Sequence, residues 1–436
     1  MEKDQKFPTV LLFPWLAQGH VTPYLVLAKK LAQRNFHIYF LSTPIILESI
    51  EKTLAKQPSS NLCIQLVEFH LPSSPKLPPH YHTTNGLPPH LNFTLIQTFQ
   101  MASSKFSTIV DTLNPNFIIY DSFQPWVATI ASSRNIPAIH LYTSGIATFS
   151  KFYHILQENI REINCDINEI AAQDLDEIDR QKVLGGIALK AFEQSNDIVL
   201  VNSCKEIEGK FIDHLSQLSK KEIIPIGPLI RDAIDEEEDL EIIQWLDKKD
   251  ESSCVFVSFG SEYFLSKKDI EEIAKGLELT LVNYIWTITF PAGVTTTIEE
   301  VLPQGFHEKS EKGMVVKGWV PQARILGHFS IGGFVTHCGW NSLLESICFG
   351  VPIIALPKHL DQPTNARLME ELGLGFEILK DENGEIKREE VARGIRKVME
   401  NIGEVKNNVR EMKEKIRMKG EKAIDHLAKK IKAILK

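Results

Sequence analysis

A short apolar run followed directly by a helix start restricts the fold more than any other part of this sequence. Residues 331–337 read IGGFVTH, an apolar and β-branched run, and residues 341–346 read NSLLES, which begins a helical pattern with Asn341 as the capping residue. The order strand, tight turn and helix is the repeating unit of a doubly wound α/β sheet. A helix N-terminus leaves backbone N–H groups unpaired and carries about half a positive charge, so this turn also predicts a phosphate site.

Polar side chains and one tryptophan surround this turn in the sequence. His337 ends the predicted strand and adds a hydrogen-bond donor, while Glu345 lies one turn into the helix and can accept from the paired hydroxyls of a ribose. Trp319 offers a flat face to a base, and Asp361 and Gln362 follow a second apolar run with groups suited to sugar hydroxyls. Taken singly, these are also the features of a buried Trp, a core His and an ordinary helix cap. The combination, rather than any one residue, indicates a nucleotide site.

The whole run from Trp319 to Gln362 resembles the signature of plant UDP-sugar-dependent glycosyltransferases that act on small molecules. Such a pattern is long, and it is far more specific than a single glycine motif. The resemblance implies an α/β protein of the GT-B fold, with two facing Rossmann-like doubly wound domains and a cleft between them. It also implies that the C-terminal domain holds most of the nucleotide sugar.

The resemblance further implies a ligand role for most polar residues of this run. In order from the base to the sugar, the implied donor ligands are Trp319 through its ring, Val320 through its backbone, Gln322 and Glu345 at the ribose, His337, Asn341 and Ser342 at the diphosphate, and Trp340, Asp361 and Gln362 at the transferred sugar. The final Asp-Gln pair is similar to that of glucose-using members, which implies UDP-glucose as the co-substrate. The sequence departs from the family pattern at Lys358 and Thr364, where larger apolar residues are expected, and this departure bears on the acceptor rather than on the nucleotide.

The N-terminal half begins with its own strand, loop and helix. Residues 9–13 form a predicted buried strand, the loop after it runs to His20, and residues 116–121 form another buried strand that ends in Asp121. Because ligands bind parallel sheets at the carboxyl ends of strands, we expect His20 and Asp121 at the same edge. There the carboxylate would fix the imidazole tautomer that a general base requires. The G-x-G-x-x-G fingerprint is missing from the first loop, which argues against a NAD site.

The family resemblance extends to these N-terminal segments. Residues 13–20, FPWLAQGH, and residues 118–122, IIYDS, resemble the segments that carry the family's catalytic His and Asp. They imply His20 as the base and Asp121 as its orienting partner, and the resemblance also implies that Thr143 contacts the transferred sugar. In the second half, a glycine turn after the strand at 255–259 allows Gly260 and Ser261 to approach the diphosphate. Four further histidines are predicted to be surface or loop residues without a role: His70, His80, His82 and His90.

Composition excludes several classes of protein. The chain has 436 residues, a net charge of -8 and a pI near 6.0, so nothing global attracts a nucleic acid or an anionic membrane. Its cysteines form neither a C-x-x-C pair nor a cluster with histidine, which argues against a zinc site or a disulfide framework. No apolar run reaches the ~18 residues that span a membrane, and the first residues lack the pattern of a signal peptide. We therefore expect a monomeric cytoplasmic protein without membrane insertion, nucleic-acid partner, metal or other cofactor.

Four segments are predicted along the chain. Residues 1–230 form an N-terminal acceptor-binding Rossmann-like domain, 231–252 an acidic linker with a connecting helix, 253–420 a C-terminal UDP-sugar-binding Rossmann-like domain, and 421–436 a helix that by family analogy returns to the N-terminal domain. Within the first domain, Gly185 and Gly186 are predicted to interrupt a helical stretch. The segment 151–195 is shorter than in the family, and Thr289 stands where related enzymes often have Arg.

The reaction implied by the resemblance is attack by an acceptor hydroxyl on the anomeric carbon of UDP-glucose. His20 would take the hydroxyl proton, and a single displacement would invert the sugar to a β-glucoside. Two other classes stay open from the residues alone. A sugar-nucleotide epimerase would need acid and base groups on both faces of the sugar, and a non-catalytic binding protein would have no need of His20 with Asp121. Incubation with a UDP-sugar alone distinguishes an epimerase from a transferase.

The acceptor is predicted from a second, narrower resemblance. Three segments resemble those of a plant subgroup that extends the sugar of an existing glycoside: residues 71–75, 82–89 and 260–264. Thr83, Asn85 and Glu262 would then offer polar partners to a flavonoid or terpenoid glycoside, although each of them can equally shape a loop. The alternatives are a bare aglycone as the acceptor and another UDP-sugar, such as UDP-rhamnose, as the donor.

Overall fold

Two parallel sheets organise the chain, one in each of two structural units. The computed structural model describes residues 7–55, 62–162, 177–233, 240–306 and 310–436. The first unit comprises residues 1–230 with 419–436, and the second comprises residues 231–418. The predicted acidic run at 235–239 lies outside the described residues. Within the described parts of the chain, no helix is both long enough and apolar enough to cross a membrane.

The described part of the first unit contains a seven-stranded parallel sheet in the order β3-β2-β1-β4-β5-β6-β7. The strands are β1 Thr9–Phe13, β2 His37–Ser42, β3 Ile64–Glu68, β4 Phe117–Tyr120, β5 Ala138–Tyr142, β6 Ile198–Val201 and β7 Glu222–Pro225. The inner strands β4 and β6, FIIY and IVLV, are buried along their whole length. Continuous apolar strands of this kind are typical of parallel sheets that helices cover on both faces.

Helices connect these strands. In the first unit they are α1 Gln18–Ala32, α2 Pro44–Ala55, α3 Asn92–Gln100, α4 Ser103–Leu113, α5 Trp126–Ser132, α6 Ile146–Glu162, α7 Glu177–Gln194 and α8 Lys205–Ser219. Short 3-10 turns occur at Pro79–Tyr81 and Pro89–Leu91.

The order of the first sheet reverses between β1 and β4, with Phe13 opposite Tyr120. A crevice opens beyond the carboxyl ends of two strands at such a reversal, because their following loops leave in opposite directions. The loop before α1 and the residue after β4 therefore meet there. Under this edge, Phe13 stacks on Phe106 with ring centroids 5.4 Å apart, so the loops rest on a rigid aromatic core.

The second unit repeats the plan with a six-stranded parallel sheet, ordered β10-β9-β8-β11-β12-β13 within the described residues. Its strands are β8 Cys254–Ser258, β9 Asn283–Ile288, β10 Gly313–Lys317, β11 Ile331–Thr336, β12 Ile353–Ala355 and β13 Gly375–Glu377. Its helices are α9 Leu240–Leu246, α10 Lys267–Thr280, α11 Ile298–Val301, α12 Gln322–Leu326, α13 Trp340–Phe349, α14 Gln362–Glu371 and α15 Arg388–Glu400. The order reverses between β8 and β11, where Ser258 lies opposite Thr336. The predicted α/β class with two Rossmann-like doubly wound domains is confirmed.

Two sequence predictions about helices are wrong. Gly185 and Gly186 do not interrupt a helix, because α7 runs through both of them to Gln194. Burial of Leu189 and Phe192, both fully inaccessible, compensates the ~1 kcal/mol that each glycine costs inside a helix. Asn341 is not a capping residue, because α13 begins one residue earlier and its N-cap is Gly339, without a side-chain cap.

The last helix, α16 Ile402–Ile434, belongs to the first unit from Lys419 onward. Its apolar residues Ile424 and Ile431 are nearly inaccessible within that unit. Arg34, in the turn after α1, donates to Glu421 at 2.7 Å and to Asp425 at 2.7 Å. Since exposed ion pairs contribute little free energy, the apolar stripe is what holds this segment in place.

Candidate active site

His20 and Asp121 meet at the edge where the first sheet reverses. His20 lies in the first turn of α1, and its ring nitrogen Nδ1 is 2.9 Å from Oδ2 and 3.0 Å from Oδ1 of Asp121. The Asp121 side chain is fully buried, whereas that of His20 is 17% exposed. The hydroxyl oxygen of Thr143, directly after β5, is 2.9 Å from the same Nδ1. One nitrogen of the imidazole is thus fixed by the protein.

Backbone N–H groups donate to both oxygens of the Asp121 side chain. Its Oδ1 accepts the backbone N–H of Ser122 at 2.6 Å, and its Oδ2 accepts that of Trp15 at 3.1 Å. Because every one of these partners can donate, a carboxylate satisfies all of them, and the Nδ1 of His20 then carries a proton. In the neutral form of this ring, the lone pair then lies on Nε2. This is the tautomer with which an imidazole removes a proton from a hydroxyl.

The second unit forms a compact turn around His337, directly after β11. Gly260 has a φ of +77°, and a Cβ there would lie 2.9 Å from Cε1 of His337, while a Cβ on Gly339 would lie 2.5 Å from its Nε2. Only glycine therefore fits on either side of the imidazole. Burial lowers the pKa of His337 to about 4, with a smaller effect from His359, so the ring is neutral at pH 7. Its Nδ1 is buried without a hydrogen-bond partner within the described residues.

Helix α13 begins beside this histidine. Its ten residues start at Trp340, which is buried, and Asn341 and Ser342 follow as half-buried residues of the first turn. The backbone N–H groups of such a turn carry the positive end of the helix dipole. Together with a neutral imidazole, they form an arrangement suited to a diphosphate.

The predicted ribose residues lie on α12 and α13, and the predicted base residues immediately precede α12. Gln322 donates through Nε2 to Oε2 of Glu345 at 2.5 Å. Burial raises the pKa of Glu345, and the hydrogen bond from Gln322 lowers it in part. Trp319 is 57% exposed, although Val320 beside it is buried. A large ring left in water at the sheet edge is typical of a binding surface rather than of a core.

Asp361 and Gln362 are held in fixed orientations at the start of α14. The Oε1 of the buried Gln362 accepts the backbone N–H groups of Lys358 at 2.9 Å and His359 at 3.1 Å. Asn365 donates from Nδ2 to Asp361 Oδ2 at 2.9 Å and to the carbonyl of Cys338 at 3.1 Å. Since the carboxamide oxygen of Gln362 is occupied, its NH2 group is the end that can face a ligand.

Two family models match this chain. Residues 8–231 match the family model described as "Glycosyltransferase, N-terminal domain", and residues 230–424 match that described as "UDP-glucoronosyl and UDP-glucosyl transferase". The Mogroside IIIx synthase of Siraitia grosvenorii is 49% identical over 407 residues, which cover 90% of this chain and 89% of that protein. The chain belongs to the UDP-glycosyltransferase family.

One further relative and one solved structure are similar to this UDP-glycosyltransferase. The β-D-glucosyl crocetin β-1,6-glucosyltransferase of Gardenia jasminoides is 45% identical, covering 89% of this chain and 90% of its own. The crystal structure of Glycyrrhiza uralensis UGT73P12, complexed with glycyrrhetinic acid 3-O-monoglucuronide, has a TM-score of 0.85 at 21% identity and covers 98% of this chain and 96% of its own. At that identity the structural likeness shows the GT-B fold alone.

Sequence reasoning missed two buried polar residues of this UDP-glycosyltransferase. His140 on β5 is fully inaccessible, and its Nε2 lies 3.0 Å from Oγ of Ser122, whose backbone holds Asp121. Burial lowers the pKa of His140 to about 4. Asn365 is equally buried and orients Asp361. The available signals were a lone histidine within an apolar strand and the four-residue spacing from Asp361 to Asn365.

The predicted acceptor residues differ in their exposure. Thr83 is buried, and its hydroxyl donates to the carbonyl of Leu16 at 3.2 Å, so it braces the loop that precedes His20. Asn85 and Glu262 are exposed, the first in the N-terminal unit and the second in the other. Of the four histidines predicted to be surface or loop residues, His82 lies in a loop as predicted but is buried, with its Nε2 3.2 Å from the carbonyl of Leu77. The acceptor contacts of Thr83, Asn85 and Glu262 stay predictions.

Proposed function

We propose that this enzyme transfers glucose from UDP-glucose to a sugar hydroxyl of a plant small-molecule glycoside, with inversion at the anomeric carbon. The observation that carries the proposal is the bond from His20 Nδ1 to the buried Asp121 carboxylate, 2.9 Å long. It leaves Nε2 as the base, on a side chain that is mostly buried but still partly exposed to solvent. A buried carboxylate in this position also stabilises the imidazolium that forms when the base takes a proton.

The proposed step forms one bond and breaks one. The acceptor oxygen attacks the anomeric carbon of glucose and loses its proton to Nε2 of His20, while the bond from that carbon to the diphosphate breaks and its electron pair leaves with UDP. General base help contributes ~10²–10⁴-fold in rate. The charge that develops on the diphosphate is met by the first turn of α13 and by an N–H of His337. Because these groups supply positive potential directly, we expect the reaction to run without a metal.

Glucose as the donor sugar is supported by the two fixed side chains at the start of α14. Gln362 presents NH2 donors and Asp361 a carboxylate, so neighbouring equatorial hydroxyls can accept from one and donate to the other. A site built on oriented hydrogen bonds discriminates against a sugar in which a hydroxyl is missing or inverted, because a buried polar group is then left unpaired. The alternative is another UDP-sugar, such as UDP-rhamnose.

A glycoside acceptor is supported by the exposed polar positions Asn85 and Glu262 and by the relative from Gardenia jasminoides, whose name specifies a glucosylated acceptor. An acceptor that already carries a sugar brings several hydroxyls that require polar partners. A bare aglycone is the alternative. The cytoplasmic location and the monomeric state stay predictions.

The acceptor proposal is tested by competition. A monoglucoside and its aglycone are mixed at equal concentration with the enzyme and UDP-glucose, and the products are resolved by mass spectrometry and NMR. We expect the monoglucoside to be consumed faster and to give a β-linked disaccharide. Faster consumption of the aglycone, with only single-sugar products, would refute the glycoside acceptor.

The base is tested with His20→Ala. Turnover should fall by ~10²–10⁴-fold, while the dissociation constant of UDP measured by calorimetry stays near that of the unmodified enzyme. His70→Ala is the matched control, since His70 is an exposed histidine of the same unit. Equal losses of turnover and UDP affinity in His20→Ala would show that the substitution damages the fold instead of removing a base.

A further inference from the structure

Lys358 is a buried lysine in the loop that leads to Asp361 and Gln362. Its side chain is 7% exposed, and its Nζ lies 3.5 Å from Oδ1 of Asp269 and 5.3 Å from the centre of the Tyr263 ring. Lysine is rarely buried, because its ammonium group loses hydration that only close partners replace. Burial lowers the pKa of Lys358, and Asp269 raises it in part. The ammonium is thus directed at protein groups and away from solvent.

The partners of Lys358 belong to two other elements of the same unit. Asp269 is in the first turn of α10, and Tyr263 is in the segment that follows β8 and carries Gly260. The Tyr263 ring also contacts the His359 ring, with centroids 5.6 Å apart. The hydroxyl of Thr289 lies 3.3 Å from the carbonyl of Gly260 and 3.4 Å from that of Tyr263, so this segment is itself anchored to the end of β9. Lys358 therefore joins three elements at one point.

The same loop sets the orientation of Gln362. Its carboxamide oxygen accepts the backbone N–H groups of Lys358 and His359 and of no third group within the described residues. Between them and Gln362 the chain passes through Leu360, which has a φ of +58° and is 65% exposed. An exposed leucine in the left-handed region is strained, so the loop needs an anchor elsewhere to keep this conformation. Lys358 is the buried side chain that supplies it.

We propose that Lys358 is a positioning residue for the donor sugar, because its contacts with Asp269 and Tyr263 hold the loop in the one conformation that turns the NH2 of Gln362 toward the transferred hexose. The inference rests on the proposed function in assigning Gln362 to that sugar. Lys358 does not itself contact the sugar, because its charge is paired with Asp269. It acts on recognition of the sugar and leaves the binding of UDP unchanged.

The test separates the sugar from the nucleotide. For Lys358→Leu, we expect the dissociation constant of UDP to stay within about twofold, while the KM for UDP-glucose rises about five- to tenfold, the effect of one lost hydrogen bond. Discrimination between UDP-glucose and UDP-galactose should fall by a similar factor. Lys358→Arg should recover part of the loss. Asp269→Asn removes the ionic partner of Lys358 at nearly constant volume and should give the same changes in KM and discrimination. It is the variant to measure if Lys358→Leu does not fold.

Lys268→Leu is the matched control, because Lys268 is an exposed lysine of α10 that pairs with Glu385. It should change neither the KM for UDP-glucose nor the discrimination between UDP-glucose and UDP-galactose. Gln362→Ala should raise the KM for UDP-glucose on its own, and adding Lys358→Leu to it should cost little more, since both act through one group. If Gln362→Ala shifts the KM and Lys358→Leu does not, the role of Lys358 is refuted and the proposed function stands. If Gln362→Ala itself leaves the KM unchanged, the assignment of Gln362 to the sugar fails, and the inference fails with it.

Discussion

Replacing Asp121 by Asn tests the proposed dyad with almost no change in shape. Each carboxylate oxygen of Asp121 serves one backbone donor, Ser122 N–H at 2.6 Å and Trp15 N–H at 3.1 Å, and both lie within 3.0 Å of His20 Nδ1. An amide has a single oxygen, so one backbone N–H must face an NH2 group whichever way the side chain turns. Loss of a buried hydrogen bond to a charged acceptor costs about 1.5–3 kcal/mol. For a unit of this size, the melting temperature should fall by about 3–12 °C.

The same substitution removes the orientation of the base. If the amide NH2 faces Nδ1, His20 carries its proton on Nε2 and cannot accept another from the acceptor hydroxyl. If the amide oxygen faces Nδ1, the tautomer survives but the imidazolium loses its ionised partner. In either case kcat should fall by ~10²–10⁴-fold, the usual contribution of a general base. The dissociation constant of UDP should stay within about twofold, since the predicted diphosphate residues His337, Asn341 and Ser342 belong to the other unit.

The assay combines initial rates with UDP-glucose and a monoglucoside, calorimetry with UDP, and thermal unfolding. Asp111→Asn is the matched control, because Asp111 of the same unit forms an exposed pair with Arg134. We expect it to leave kcat and UDP binding unchanged and to affect stability little. An Asp121→Asn enzyme that keeps more than half of the kcat of the unmodified protein would refute the proposed role of the dyad.

Four further outcomes are expected. Trp319→Ala should raise the KM for UDP-glucose about 5- to 150-fold with little change in melting temperature, because an exposed ring contributes mainly through stacking on a base. Trp319→Phe should keep most of the affinity, and equal losses of affinity in the two variants would contradict stacking. Gly260→Ala should weaken UDP binding at least tenfold, because the added Cβ would lie 2.9 Å from the His337 ring and the φ of residue 260 is +77°. Unchanged UDP binding in calorimetry would contradict a tight turn around His337. A chelator should leave the initial rate unchanged, and a strict requirement for added magnesium would contradict the proposed diphosphate site. Because the pKa of His140 is lowered from 6.5 to about 4 in the folded protein, the unfolded chain binds more protons between these pH values, and the unit that contains His140 should lose about 2 kcal/mol of unfolding free energy between pH 7 and 5. Urea titrations of His140→Asn should show a smaller loss over this pH range. If the unfolding free energy of His140→Asn depends on pH as steeply as that of the His70→Gln control, the assignment is refuted.

The sequence by itself determined the elements and the polar residues at the ends of the strands. Continuous apolar runs predict the strands of a buried parallel sheet, and carboxyl ends at one edge predict that His20 and Asp121 meet although they are far apart in the chain. The long pattern from Trp319 to Gln362 is specific enough to indicate the family without coordinates. These features can be predicted from the sequence because the periods of strands and helices are properties of short stretches of chain. The position of a polar residue at the carboxyl end of a strand is such a local property too.

Only the tertiary structure decided which way each polar group points and what supports it. The contacts of Lys358 with Asp269, of His140 with Ser122 and of Gln362 with the backbone before it depend on how separate elements pack and on which loop conformation survives. These contacts cannot be predicted from residue spacing or composition. Lys358, for example, departs from the family pattern, but its partner Asp269 is defined only once α10 packs beside it. The start of α13 at Trp340 and the unbroken α7 were likewise decided by packing, because the burial of apolar side chains contributes more free energy than the local preferences of Asn and Gly.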